Sequence, residues 1–137
     1  MTFKFPLATA TWDQKEIDAM HDVIASGNFT MGEKVRIFEK SFSKYIGSQY
    51  AVMVNSGSSA NLLMIAALFY TKNPKLKLKR GDEVIVPAVS WSTTYYPLYQ
   101  YGLKIKFVDI DIETLNYDLA QLEPAITNKT RLVLAVN

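Results

Sequence analysis

Val54-Asn55-Ser56-Gly57-Ser58-Ser59-Ala60-Asn61 joins a short apolar run, Tyr50 to Val54, to a segment from Ala60 to Tyr70 that is almost wholly apolar. The run has the length and composition of a buried strand, and the segment that of a helix apolar on every side and therefore covered. Strand, small-residue turn and helix start make the opening of a βα unit. Gly57 lets a ligand approach the backbone closely. The N–H groups of Ser58 and Ser59, their hydroxyls and the helix dipole converge where an anion would sit. Phosphate suits that place. Serine is also a preferred helix cap, so the same residues could do no more than start the helix. The stretch has neither the Gly-Lys-Ser/Thr ending of a P-loop nor G-x-G-x-x-G, and supports neither an ATPase nor a dinucleotide dehydrogenase.

Further along, Glu83 to Val86 before Pro87, Ile105 to Val108 before Asp109, and Leu132 to Val136 are strand-like, with intervals long enough for crossover helices. Upstream, Thr11 with Gln14 has capping-box spacing for a first helix that stops at Ser26-Gly27-Asn28. After Phe29-Thr30-Met31-Gly32, a second helix carries Val35, Phe38, Phe42, Tyr45 and Ile46 on one face and ends at Gly47. Pro97 inside Thr93 to Tyr101 and Pro124 inside Leu119 to Ile126 predict helices that are kinked or short, and Asp118 with Gln121 offers a cap for the latter. The alternation predicts an α/β fold with a mostly parallel sheet covered on both faces.

The chain has 137 residues, 49% of them hydrophobic and 20% charged, which suits about one globular domain. A net charge of +2 argues against a dedicated nucleic-acid binder. Without cysteine there is no disulfide framework, thiolate metal site or cysteine nucleophile, and the composition is compatible with a reducing compartment. The start, Met-Thr-Phe-Lys-Phe-Pro, has too short an apolar run for a signal peptide, and no stretch reaches the length of a membrane span. A cytoplasmic location is the expectation.

A second candidate is Pro87-Ala88-Val89-Ser90-Trp91-Ser92-Thr93-Thr94, which follows a strand at the same expected edge of the sheet and should bring Trp91 near the serine turn. An indole there could cover a planar aromatic ligand, or it could simply be core. Asp109 and Asp111 end a third strand, on one side of it if the strand continues, and could bind a ligand or merely make a polar exit. The basic run Lys72, Lys75, Lys77, Lys79 and Arg80 reads as a solvated connection in preference to a nucleic-acid patch. His21, with no acid at i±4, reads as a helix-surface or boundary residue, and Tyr95, Tyr96, Tyr99 and Tyr101 as packing.

Three segments in this order, Asn55-Ser-Gly-Ser-Ser-Ala-Asn-Leu-Leu63, Gly81-Asp-Glu-Val-Ile-Val-Pro-Ala-Val-Ser-Trp-Ser-Thr-Thr94 and Gly102-Leu-Lys-Ile-Lys-Phe-Val-Asp-Ile-Asp111, resemble the DegT/DnrJ/EryC1/StrS family of sugar aminotransferases. The likeness runs from Phe5-Pro6-Leu7 through the Phe29-Thr-Met-Gly32 loop to the last strand, and the Ser-Gly-Ser-Ser-Ala-Asn and Ser-Trp details look most like the 3-dehydratase branch. It implies the N-terminal part of the large domain of a fold type I, aspartate aminotransferase-like enzyme. Residues 1–32 would be an arm and first helix, and residues 33–137 a partial cofactor-binding domain ending before the catalytic base. The implied cofactor is pyridoxal or pyridoxamine phosphate, with Gly57, Ser58 and Ser59 on its phosphate and Trp91 stacked on its ring.

The implied partners are a nucleotide-linked 4-keto-6-deoxy sugar, glutamate as amino donor and a second copy of the chain, with neither nucleic acid nor membrane. The implied reaction condenses the cofactor amine with the C4 ketone. A histidine base then takes a cofactor-side proton, the C3 hydroxyl leaves, and hydrolysis gives the 3-deoxy sugar and ammonia. A lysine in place of that histidine would lead to amino transfer instead. The base is expected beyond Asn137, so the resemblance assigns it to none of His21, Asp109 and Asp111. A stand-alone phosphate-binding module without chemistry is the alternative from another class.

Overall fold

The computed structural model describes residues 9–136. The Phe5-Pro6-Leu7 segment lies outside them. The chain divides into two compact units, Met1–Met53 and Val54–Asn137.

The first unit holds α1 (Gln14–Ser26) and α2 (Glu33–Ile46). The cap of α1 is Asp13, whose carboxylate accepts from Lys15 N–H at 2.7 Å while Glu16 reaches back to Asp13 N–H at 2.8 Å. This capping box lies two residues beyond the expected Thr11 start, because carboxylates hold the first-turn donors at both its ends. Gly27 and Gly47 close the two helices at φ 64° and 77°, the left-handed geometry that suits glycine. Phe38 and Phe42 do share a face, stacked at 5.7 Å, yet neither helix buries a single residue.

The second unit is built on a parallel sheet. Its strands are β1 (Glu83–Pro87), β2 (Lys104–Val108) and β3 (Thr130–Val133), in the order β2-β1-β3. The register pairs Val84 with Ile105 and Leu132, and Val86 with Phe107. Three helices flank it: α3 (Gly57–Tyr70), α4 (Ser92–Gln100) and α5 (Leu119–Ala125). Central β1 is covered on both faces, as parallel sheets require. On one face Val84 and Val86 pack with Ile65 of α3, Leu98 of α4, Leu78 and Leu103. On the other lies Ile85, fully buried, and there Lys106 Nζ donates to Ala125 O at 2.7 Å, a cation at the carbonyl end of α5. The tyrosines divide: Tyr95 and Tyr101 pack edge-on or tilted against Phe107 and Phe69, while Tyr96 and Tyr99 are exposed.

Two expectations need correction. Tyr50 to Val54 is not a strand: Met53 N–H goes to the Glu39 carboxylate at 2.9 Å, Tyr50 and Val52 are exposed, and the segment makes no ladder pairing among the described residues. Nor is α3 buried all round. It turns Ile65 into the core, while Leu62, Leu63 and Met64 stay exposed because one flank alone meets α4 and the core cluster. β3 also begins earlier than read, at Thr130, and ends at Val133. The proline-bearing helices are short, nine residues for α4 and seven for α5, and Asp118 caps α5 through Ala120 N–H at 2.9 Å.

Candidate functional site

Ser56 is the N-cap of α3, extended at φ −163° and ψ 160°, and its hydroxyl oxygen accepts from Ser59 N–H at 3.2 Å. Its carbonyl takes Ala60 N–H at 3.0 Å. A helix leaves its first N–H groups without internal partners, and here those of Gly57 and Ser58 have no acceptor among the described residues. The Ser59 hydroxyl donates to Asn55 Oδ1 at 2.7 Å, and the Ser56 hydroxyl donates to Ser59 Oγ at 3.2 Å. Ser56 and Ser59 therefore brace the turn, and Gly57 and Ser58 present its open donors. Space beside Gly57 is empty too: a Cβ added there meets nothing within 4 Å.

Trp91 caps α4 in extended geometry, immediately after the loop that leaves the C-terminal end of central β1. Ligands of open parallel sheets bind beyond that end. Its indole is 75% exposed, which removes the reading of Trp91 as a core residue. The loop itself is held from several directions. Ala88 N–H reaches Val108 O at 2.8 Å, the Tyr95 hydroxyl donates to Pro87 O at 2.7 Å, and the hydroxyls of Ser90 and Thr94 pair at 2.8 Å. Burial raises the Tyr95 pKa, which keeps that hydroxyl a donor.

A residue not singled out in the sequence links the two parts: Asn61 Nδ2 donates to Thr93 O at 3.2 Å, tying the start of α3 to the start of α4. Asn61 had a legible signal, as the one amide in the run from Ala60 to Tyr70. Between the helices lies a shallow depression of about 200 Å³ whose walls include Ser58, Ser59, Leu62, Thr93 and Tyr96, and to which Trp91 does not contribute. The open donors, the empty side of Gly57 and the exposed indole fit a phosphate ester carrying an aromatic ring.

The other candidates make local contacts or stand exposed. β2 stops at Val108, so Asp109 and Asp111 do not continue a strand; Ile110 instead makes an isolated bridge to Tyr117. Asp109 Oδ1 accepts from Ile110 N–H. Asp111 Oδ1 accepts from Thr114 N–H at 2.8 Å and Glu113 N–H at 3.0 Å, and these bonds, Thr114 foremost, hold its carboxyl below the usual range. His21 is exposed on α1. The basic run is a connection anchored by buried Leu78, whose N–H reaches Leu68 O at 3.0 Å. Among the described residues no cluster of three or more His, Cys, Asp or Glu side chains could hold a metal, and no helix is long and apolar enough to cross a membrane.

Residues 10–137 match the model of the DegT/DnrJ/EryC1/StrS aminotransferase family. The chain belongs to that family. It is 66% identical over 133 residues to GDP-4-keto-6-deoxy-D-mannose 3-dehydratase of Yersinia pseudotuberculosis, covering 97% of this chain and 33% of that protein. The E. coli enzyme of the same name, solved with bound hydrated PLP, superposes with a TM-score of 0.92 at 60% identity, over 100% of this chain and 35% of that one. A sugar aminotransferase of Streptococcus pneumoniae, solved in its PMP form, gives a TM-score of 0.81 at 29% identity over 97% of this chain and 32% of that one. The chain thus spans about a third of the length of the curated relatives it matches. Its fold is that of fold type I PLP enzymes.

Proposed function

We propose that this chain carries the cofactor-phosphate part of a pyridoxamine-phosphate-dependent 3-dehydratase, which removes the C3 hydroxyl of a nucleotide-linked 4-keto-6-deoxy sugar. In this reading residues 1–32 form the arm and first helix, and residues 33–137 part of the large, cofactor-binding domain. What supports it is the open N–H groups of Gly57 and Ser58 at the start of α3, with α4 and its exposed Trp91 joined to that helix through Asn61, in a chain 66% identical to a GDP-4-keto-6-deoxy-D-mannose 3-dehydratase.

When bound, the cofactor supplies an amine that condenses with a sugar ketone and a ring that accepts electrons. The residues of this chain bind and orient. Gly57 and Ser58 N–H groups and the α3 dipole hold the phosphate dianion. The Ser58 hydroxyl adds a donor, and Ser59 acts through the turn it braces against Asn55. Trp91 covers one face of the ring and keeps water from it. Glutamate as amino donor, a homodimer and a cytoplasmic location belong to the same proposal.

The test uses the full-length protein, given GDP-4-keto-6-deoxymannose, glutamate and pyridoxal phosphate. The expected products are a 3-deoxy sugar and ammonia. An amino sugar, with cofactor fixed to a lysine by borohydride, would instead assign the aminotransferase reaction. Light scattering of the same protein tests the homodimer, and a monomer at working concentration rejects it.

A further inference from the structure

In a regular α-helix the carbonyl of Thr93 would accept from the N–H of the residue four positions on. That residue is Pro97, which has no N–H, so the helix itself cannot supply that bond. A carbonyl partly withdrawn from water between two packed helices is costly to leave unpaired. The donor comes from α3: Asn61 Nδ2 lies 3.2 Å from Thr93 O in a part-buried contact. Asn61 is likewise the one amide in the otherwise apolar run from Ala60 to Tyr70, and an amide facing a neighbouring helix also needs a partner. Each residue thus answers a deficit in the other helix, and the amide has gone to the carbonyl that proline frees.

The position of this bond gives it a consequence. Asn61 lies one turn into α3 from Gly57, and Thr93 two residues beyond Trp91. The bond therefore joins the helix start that offers open N–H groups to the helix start that carries the indole.

We propose that Asn61 is a positioning residue, which uses the carbonyl freed by Pro97 to hold the start of α4, and with it Trp91, in place against the start of α3 that carries Gly57 and Ser58. This inference rests on the cofactor reading above. It assigns to Asn61 no contact with the cofactor; its effect is exerted through α4.

The experiment compares the wild-type chain with Asn61→Ala, Pro97→Ala and the double variant, all in a Trp12→Phe background that leaves Trp91 as the sole indole. Pyridoxal phosphate and inorganic phosphate are titrated separately, and Trp91 fluorescence anisotropy is read without ligand. Asn61→Ala should weaken pyridoxal phosphate about three- to tenfold, the scale of one aromatic contact, leave inorganic phosphate unchanged and lower the anisotropy. Pro97→Ala in the same chain restores a backbone donor to Thr93 within α4 but no tie to α3, so the double variant should keep both losses while regaining the stability lost with the unpaired carbonyl. Equal losses for the two ligands, unchanged anisotropy in Asn61→Ala, or recovery of binding and anisotropy in the double variant each overturn the proposal. If the wild-type chain binds neither ligand, Gly57 and Ser58 do not by themselves make a phosphate site in this chain, and the anisotropy series still decides whether Asn61 fixes Trp91.

Discussion

The hydroxyl of Tyr117 donates to Leu134 O at 2.8 Å and stands 3.3 Å from Ile85 O, which already accepts from Leu134 N–H at 2.9 Å. A residue from the loop after β2 thereby completes the pairing between β1 and the chain just beyond β3. Tyr117→Phe keeps the ring and leaves Leu134 O without a partner, so it should cost about 1–2 kcal/mol in denaturant unfolding with the slope unchanged. The same group makes the fold sensitive to base. Burial pushes the Tyr117 hydroxyl up to about 12 from an ordinary 10. The unfolded chain therefore loses its proton first, and the stabilisation present below pH 10 is lost as pH rises from about 10 to about 12. Wild type should show this decline, and Tyr117→Phe should lack the part of it due to this residue.

Gly57 and Ser56 separate binding from folding. A Cβ at position 57 meets no protein atom and the backbone there is helical, so Gly57→Ala should leave stability unchanged or raise it by about 0.4–1 kcal/mol. The methyl group would nevertheless stand in the space beside the open donors, and pyridoxal phosphate affinity should fall about tenfold or more if the phosphate is held there. Ser56→Ala should do the reverse in kind. It removes the acceptor of Ser59 N–H and should cost about 1 kcal/mol of stability, as cap removals do. Thermal unfolding and equilibrium titration on the two variants give both readings. A Gly57→Ala chain that binds as wild type would place the phosphate elsewhere.

Trp91 makes a complementary case. At 75% exposure its side chain contributes little to folding. Trp91→Ala should leave the unfolding midpoint in place while weakening pyridoxal phosphate by roughly 0.5–1.5 kcal/mol, with Trp91→Phe recovering most of that. A large drop in stability would show that the indole packs against protein in solution.

How far these elements could be read from sequence depends on where each one finds its partners. β1 was legible because a central parallel strand is apolar on consecutive residues, and Val84, Ile85 and Val86 are all fully buried. The glycine ends of α1 and α2 and the short α4 and α5 were legible because Gly27, Gly47, Pro97 and Pro124 act through their own backbones. Tyr50 to Val54 misled because strand composition does not provide a neighbouring strand, and the Met53 donor went to Glu39. The exposed flank of α3 misled for a related reason: apolar residues declare a need for cover that Leu63 and Met64 do not meet among the described residues. At the site, the serine turn and Trp91 stood out by residue type. The Asn61 bond to Thr93 did not, since it depends on a proline that reads locally as a helix defect and becomes a vacant acceptor only once α3 lies beside α4.

Gly102 offers a test in which two costs can be separated. It turns the chain from α4 into β2 at φ 71°, where its N–H meets Tyr99 O at 2.9 Å and its carbonyl takes Gly81 N–H at 2.8 Å. Alanine there would meet left-handed backbone strain of about 1–2 kcal/mol. It would also displace Arg80, whose Nη1 stands 2.8 Å from the added Cβ, at a smaller cost because that atom ends an exposed, flexible side chain. Strain belongs to the backbone and persists whatever surrounds it, whereas the contact disappears if Arg80 is shortened. Gly102→Ala should therefore destabilise by about 1–3 kcal/mol, the scale of a strained backbone position, and Arg80→Ala in the same chain should return only the steric part. Gly102→Asn, which tolerates this conformation better, should keep the steric cost and lose much of the strain. Urea unfolding of wild type, Gly102→Ala, Arg80→Ala, their double variant and Gly102→Asn decides it: strictly additive losses from Arg80→Ala and Gly102→Ala would mean that the guanidinium does not press on this turn.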